Sequence, residues 1–175
     1  MKKLLLIAPL LVLLTVFGCK KNIIDQLLTF TVDVSQSVSI PGYFVGAQLP
    51  PVTVTTNSAA SFQNNKTSRD KVKDVYLDQM ILTVTDPAGS NFDFLDKLDI
   101  YINTPNVNNK ILLASIASVP RGVTSITMTP TMARLDEYLK ADTYQLTVDA
   151  KLSGFNATTF TVKSDSRFKV TATPL

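Results

Sequence analysis

Two segments near the end of the chain decide the fold class: TYQLTVDAKL at residues 143–152 and FTVKSDSRFKVTA at residues 160–172. Both carry apolar or small side chains at every even position, and most of the side chains between them are polar. An alternation of period two is typical of a strand that buries one face and exposes the other. Because Ser153-Gly154 supplies turn residues, the two segments together predict a C-terminal hairpin over residues 142–172.

The same alternation recurs upstream, where clusters of turn residues separate the segments. Further strands are predicted at residues 30–45, 52–55, 75–85, 98–103, 111–119 and 123–128. Pro50-Pro51 precedes the second of these and indicates an edge strand, since proline cannot donate to a sheet ladder. A slip in apolar parity between Leu77 and Met80 predicts a bulge.

Two segments do not follow the strand pattern. Residues 57–70, NSAASFQNNKTSRD, are polar and predict the longest loop. One helix is predicted from Thr129 as cap and Pro130 at the first helical position. Its apolar face would comprise Met132, Leu135, Tyr138 and Leu139.

Seven to nine regularly spaced strands and one short helix predict an all-β fold, an antiparallel β-sandwich that is immunoglobulin-like or similar. The Cys-Trp-Cys core of antibody domains is absent, because the chain has one cysteine and no tryptophan. The pattern therefore predicts the architecture and does not identify a domain family.

The first nineteen residues have the order of a secretion signal. Lys2 and Lys3 are followed by an apolar run from Leu4 to Phe17 and then by Gly18-Cys19. A positive start, an apolar stretch of about 7–15 residues and a small residue at the cleavage point mark such a signal. The run is shorter than the roughly 20 residues that span a bilayer comfortably.

Val16-Phe17-Gly18-Cys19 resembles the lipobox of bacterial lipoproteins. The resemblance implies cleavage between Gly18 and Cys19 and lipid attached to Cys19, with Phe17 departing from the small residue usual at that place. Lys20, rather than the aspartate that retains such proteins in the inner membrane, implies the outer membrane. A plain secretion signal and an uncleaved anchor helix remain the alternatives. The predicted organisation is a signal peptide at 1–18, a lipidated tether at 19–28 and a single β-sandwich domain at 29–175.

Composition narrows the possible functions. Without Lys2 and Lys3 the remaining chain carries 15 basic and 14 acidic side chains, so no nucleic-acid partner is predicted. Histidine is absent, which removes the commonest general base and the commonest transition-metal ligand. With Cys19 used as the anchor, a thiol nucleophile and a Cys/His zinc site are excluded as well. We therefore predict no cofactor.

The acidic residues are the remaining candidates for chemistry, and thirteen of the fourteen are aspartate. Asp93, Asp96 and Asp99 lie three apart near Asp86, and loop carboxylates are calcium ligands. No calcium-loop pattern accompanies them. The favoured interpretation is therefore that Asp96 and Asp99 cap turns or lie on the solvated face of a strand. Paired carboxylates could also hydrolyse glycosides, but such enzymes generally need a cleft lined by aromatic residues. In this chain aromatic residues are sparse, tryptophan is missing, and most phenylalanines fall at core positions of the strand pattern. No metal site and no enzyme is predicted.

The leading hypothesis is a membrane-anchored envelope lipoprotein with a non-catalytic sandwich that binds or scaffolds. Its partners would be the membrane, through lipid on Cys19, and an envelope protein or a polysaccharide. Tyr43-Phe44 could contact a partner if the two aromatic side chains are exposed. The favoured interpretation is that they are buried and fill one end of the core. The alternative hypothesis is a periplasmic carrier or chaperone of an apolar ligand such as lipid, motivated by the 45% of apolar residues.

Overall fold

Nine antiparallel strands form two facing sheets in the part of the chain that the computed structural model describes, residues 27–42, 49–154 and 157–175. The strands are β1 (Leu28–Ile40), β2 (Val52–Thr55), β3 (Val72–Asp86), β4 (Leu95–Asn103), β5 (Ile111–Ile116), β6 (Ser125–Thr127), β7 (Thr129–Pro130), β8 (Thr143–Leu152) and β9 (Phe160–Ala172). Two short helices, α1 (Ser58–Asn64) and α2 (Asp136–Lys140), and a 3₁₀ turn at Arg69–Lys71 complete these elements. Among these residues, no helix has the length and apolarity needed to cross a membrane.

The strand order is that of a jelly roll. One sheet has the order β1-β9-β3-β6 and the other β2-β8-β4-β5-β7. Four nested pairs, β1 with β9, β2 with β8, β3 with β6 and β4 with β5, alternate between the two sheets. A ribbon of nested pairs wrapped into two sheets is the jelly-roll form of the sandwich. The predicted antiparallel sandwich is confirmed, and this order takes the place of the immunoglobulin one, in which the first two strands are neighbours.

The predicted C-terminal hairpin is wrong, although both of its strands exist. Strand β8 pairs with β2 and β4, whereas β9 pairs with β1 and β3 in the other sheet. Residues 153–159 separate the two strands, and a connection of that length can cross the roughly 10 Å between facing sheets. The matching even parity of the two segments therefore reflects two faces that meet across the core.

The core fills the space between the sheets and is built from these even positions. Phe168 on β9 is fully buried, and its ring meets that of Tyr144 on β8 edge to face at 6.4 Å between centroids. Strand β3 pairs with β9 in the same sheet. The register of this pairing shifts between Leu77 and Gln79, which confirms the predicted bulge. Strand β2 lies at a sheet edge, as Pro50-Pro51 indicates.

Residues 57–70 are not the open loop that their polarity predicts. Ser58–Asn64 forms helix α1, and its Phe62 side chain is 1% exposed. The ring of Phe62 packs edge to face on that of Phe30, with 6.2 Å between centroids. The backbone N–H of Thr67 donates to the carbonyl of Phe62 at 3.0 Å and closes the turn after the helix. One buried aromatic side chain thus anchors a segment that is otherwise polar.

The predicted helix beginning at Thr129 is also wrong in its extent. Thr129–Pro130 is a short edge strand that pairs with β5, and the helix runs only from Asp136 to Lys140. Met132, placed by the prediction on the buried face, is 85% exposed. Tyr138 and Leu139 are fully buried, so the end of the predicted face does cover the core.

Candidate functional site

The residues predicted to carry the lipid anchor, Gly18 and Cys19, lie outside the described residues. Tyr43-Phe44, the candidate for partner contact, lies outside them too. The structural search for a site therefore concerns the carboxylates, the outer faces of the sheets and the interior of the sandwich.

Asp93 and Asp96, two of the aspartates singled out from the sequence, hold turns together by hydrogen bonds and an ion pair, whereas Asp99 pairs within its own strand. The Asp93 carboxylate accepts the backbone N–H of Gly122 at 2.6 Å, and the Asp96 carboxylate accepts an Arg121 guanidinium N–H at 2.6 Å. Asp99 pairs with the Lys97 ammonium at 2.7 Å. No group of three or more metal-binding side chains occurs in the described ranges. The arrangement suits the turn-capping role rather than a calcium loop.

One carboxylate pair escapes the sequence pattern because its members are fifty residues apart. Asp99 on β4 lies directly opposite Asp149 on β8 in the antiparallel ladder. The Asp149 Oδ1 atom is buried and has no hydrogen-bond partner. Like charges directly opposite each other destabilise a sheet. Lys97 pairs with Asp99 and offsets part of this repulsion. The two aspartates nevertheless place like charges opposite each other on the outer face of this sheet.

The outer face of the other sheet carries a ladder of polar pairs between β1 and β9, one of them an ion pair. Asp33 lies opposite Arg167, whose Nε donates to the Asp33 carboxylate at 2.8 Å. Ser35 lies opposite Asp165 and donates to its carboxylate. Hydrogen bonds from Lys163 and Ser35 lower the pKa of Asp165 below its ordinary value. This ladder ties the two strands together and leaves a polar, solvated face.

The interior of the sandwich holds the strongest candidate, an apolar cavity of about 90 Å³ between the two sheets. Its walls are mainly aliphatic and aromatic side chains from both sheets, with only two polar side chains among them, Gln36 and Ser164. Ala150 on β8 and Ser164 on β9 are the smallest side chains among the residues that line it. The cavity therefore lies where each of these two strands contributes a small side chain.

The two polar residues of the cavity are neighbours. Gln36 on β1 lies directly opposite Ser164 on β9. The Gln36 amide donates to the backbone carbonyl of Ser37 at 3.1 Å, while the buried Ser164 hydroxyl has no hydrogen-bond partner. An unpaired buried hydroxyl costs roughly 1–3 kcal/mol. The cavity therefore combines an apolar wall with one free hydrogen-bonding group.

Replacing Ser164 with valine is expected to raise the free energy of unfolding by about 1–3 kcal/mol, since the change removes the unpaired hydroxyl and fills part of the void. Urea titration of both proteins measures the difference. Ser39→Val, on the exposed face of β1, is the matched control and should stay within about 0.5 kcal/mol. A less stable Ser164→Val protein would mean that the hydroxyl is satisfied by bound water or ligand.

Buried tyrosines elsewhere in the core are structural. The Tyr138 hydroxyl donates to the backbone carbonyl of Asn109 at 2.5 Å, and burial together with the nearby Glu137 raises the pKa of Tyr138 to about 12. Burial also raises the pKa of Tyr144. Both phenols therefore remain protonated near neutral pH, and their hydroxyl groups are not poised as bases.

Comparison with known proteins finds matches of low sequence identity and low TM-score. No family model matches the chain, and no curated protein matches it. A chain from Desmodium yellow mottle tymovirus matches 85% of this chain over 89% of its own length, with 8% identity and a TM-score of 0.32. A structure of Turnip yellow mosaic virus at 100 K matches 85% of this chain over 96% of its own, with 11% identity and a TM-score of 0.28. At these TM-scores the matches carry no argument about function, and the jelly-roll assignment depends on the strand pairing alone.

Proposed function

We propose that this chain is a lipid-anchored protein of the cell envelope, in the outer membrane, whose β-sandwich binds or scaffolds a partner without catalysis. The observation that carries the proposal is the order of Lys2-Lys3, the apolar run and Gly18-Cys19 in the sequence. Two or more acyl chains give stable membrane attachment, whereas one chain gives only marginal binding. A multiply acylated Cys19 would therefore hold the domain at a membrane surface.

The surroundings of Asp93 and Asp96 support a non-catalytic role for these two carboxylates. A general acid or base must reach the proton that it transfers, and its pKa must suit that task. The carboxylates of Asp93 and Asp96 are instead engaged by Gly122 and Arg121, which hold two turns together. The partner that the sandwich would bind is an envelope protein or a polysaccharide.

Replacing Cys19 with alanine is expected to move the protein from the membrane fraction to the soluble fraction or to leave it as an unprocessed precursor, because no thiol remains to accept lipid. Membrane fractions washed with high salt and probed for the chain, together with incorporation of labelled palmitate, measure the effect. Lys20→Ala, at the adjacent position, is the matched control and should remain in the membrane and carry the label. A processed Cys19→Ala protein that resists the salt wash would contradict anchoring by lipid.

A second candidate function is carriage of an apolar ligand, which the cavity between the sheets favours. Its volume of about 90 Å³ is smaller than the roughly 150 Å³ of a cavity that takes benzene and far below the 300–1,000 Å³ of ordinary ligand sites. The cavity as it stands would therefore hold the end of an aliphatic chain rather than a whole lipid. Native mass spectrometry of the Cys19→Ala protein from its own cells tests this idea, and a single unliganded mass would exclude it.

A further inference from the structure

The edges of the two sheets differ sharply in length. Among the described residues the edge strands are β1 and β6 in one sheet and β2 and β7 in the other. Three of them are short, since β6 has three residues, β7 has two and β2 has four. Short edge strands are one way in which natural proteins avoid pairing with other chains. Strand β1 has 13 residues and is the exception.

In the part of the chain that the structure describes, strand β1 lacks the other features that protect an edge. It contains no proline, lysine or arginine, and Asp33 is its only charged residue. It pairs with β9 along its whole length without a register shift, so no bulge twists it away. Its opposite edge makes no backbone hydrogen bond to any described residue. Unpaired backbone groups along a regular strand are a template for another strand.

The sequence of β1 is suited to pairing with itself. In an antiparallel arrangement centred on Val34, Leu28 of one copy lies opposite Ile40 of the other, and all 13 residues are paired. The alternation of β1 then places core-facing side chains opposite core-facing ones, and the Thr and Ser side chains of the outer face opposite each other. Asp33 lies opposite Ser35 of the second copy, whereas a shift by two residues toward the start of the strand would place it opposite Asp33. The longest overlap thus also avoids repulsion between like charges.

We propose that β1 pairs in this antiparallel register with β1 of a second copy of this chain. The two four-stranded sheets then form one continuous sheet of eight strands across a two-fold axis. Such an interface is isologous, because the same surface of each copy contributes to it. The inference concerns the sandwich and does not depend on the lipid anchor.

Disulfide trapping tests the proposal in the full-length chain carrying Cys19→Ala, so that the introduced thiols are the only ones. Asp33→Cys and Ser35→Cys proteins are oxidised separately and as a mixture. Directly opposite residues have Cα atoms about 4.5–5.5 Å apart, within the range of a disulfide. Two copies of position 33 would be about 8 Å apart on the diagonal, beyond that range. We expect a covalent dimer in the mixture and little from either protein alone.

A second matched pair, Thr31→Cys with Ser37→Cys, should give the same result without removing a charged residue. The mixture of Thr31→Cys with Ser35→Cys is the mismatched control and should remain monomeric. Asp33 pairs with Arg167 at an exposed site, and such ion pairs contribute only about 0–1 kcal/mol, so the fold should persist. Circular dichroism and maleimide labelling confirm folding and thiol access. The absence of dimer in both matched mixtures, or equal dimer in the mismatched one, would overturn the proposal.

Discussion

Replacing Phe168 with alanine is expected to lower the free energy of unfolding by about 3–5 kcal/mol, a large fraction of the roughly 5–15 kcal/mol that stabilises a typical domain. Phe168 is fully buried on β9, which has β1 on one side and β3 on the other. Its ring packs edge to face on that of Tyr144, so it also joins the two sheets. Truncation would remove this contact and leave a cavity at the point where three strands and the facing sheet meet.

Urea titration followed by circular dichroism measures this effect against the unsubstituted protein. Lys169→Ala, one position along β9 on the exposed face, is the control and should change stability by no more than about 0.5 kcal/mol. Equal effects of the two substitutions would contradict the assignment of even positions to the core.

Replacing Phe62 with alanine is expected to cost about 3–5 kcal/mol as well, because this side chain is 1% exposed and contacts the ring of Phe30. The residue is the only large apolar side chain in α1, so its loss should release the helix from the sandwich. Thermal unfolding would show the loss of stability, and limited proteolysis would show new cleavage within residues 57–70.

Gln63→Ala provides the matched control for Phe62, since Gln63 is the next residue of the same helix and is exposed. Alanine is a good helix former, so the control should be neutral within about 0.5 kcal/mol. If Phe62→Ala were equally neutral, residues 57–70 would be the polar loop that their composition predicts.

The sequence predicts the strands well because each strand buries one face in the core, so its apolar residues recur at every second position. Segments 143–152 and 160–172 alternate so regularly that the bounds of β8 and β9 can be read from it. The pairing partners of each strand could not be predicted in the same way. Alternation shows that a face is buried but not which sheet covers it, so the proximity of β8 and β9 in the chain suggested a hairpin that does not form.

The helices were missed or misplaced for a related reason. Helix α1 has a single buried anchor, Phe62, and one apolar residue cannot produce a helical period. At Thr129-Pro130 a favourable capping pattern predicted a helix, but pairing with Ala114 and Ser115 on β5 outweighs that local preference. The cavity could not be predicted either, because its lining residues come from several strands of both sheets, and their arrangement follows from the packing of the two sheets.

The central place of β9 has a consequence for how the chain is made. During synthesis β1 and β3 are made before β9, yet these two strands are joined in their sheet only through β9, at residues 160–172. Until β9 has been made, the 13 residues of β1 have no partner strand, and the 15-residue β3 can pair only with the three residues of β6. Unpaired strand edges render incompletely synthesised chains prone to aggregation. A chaperone that covers β1 and β3 would therefore be of most use before residues 160–172 have been made.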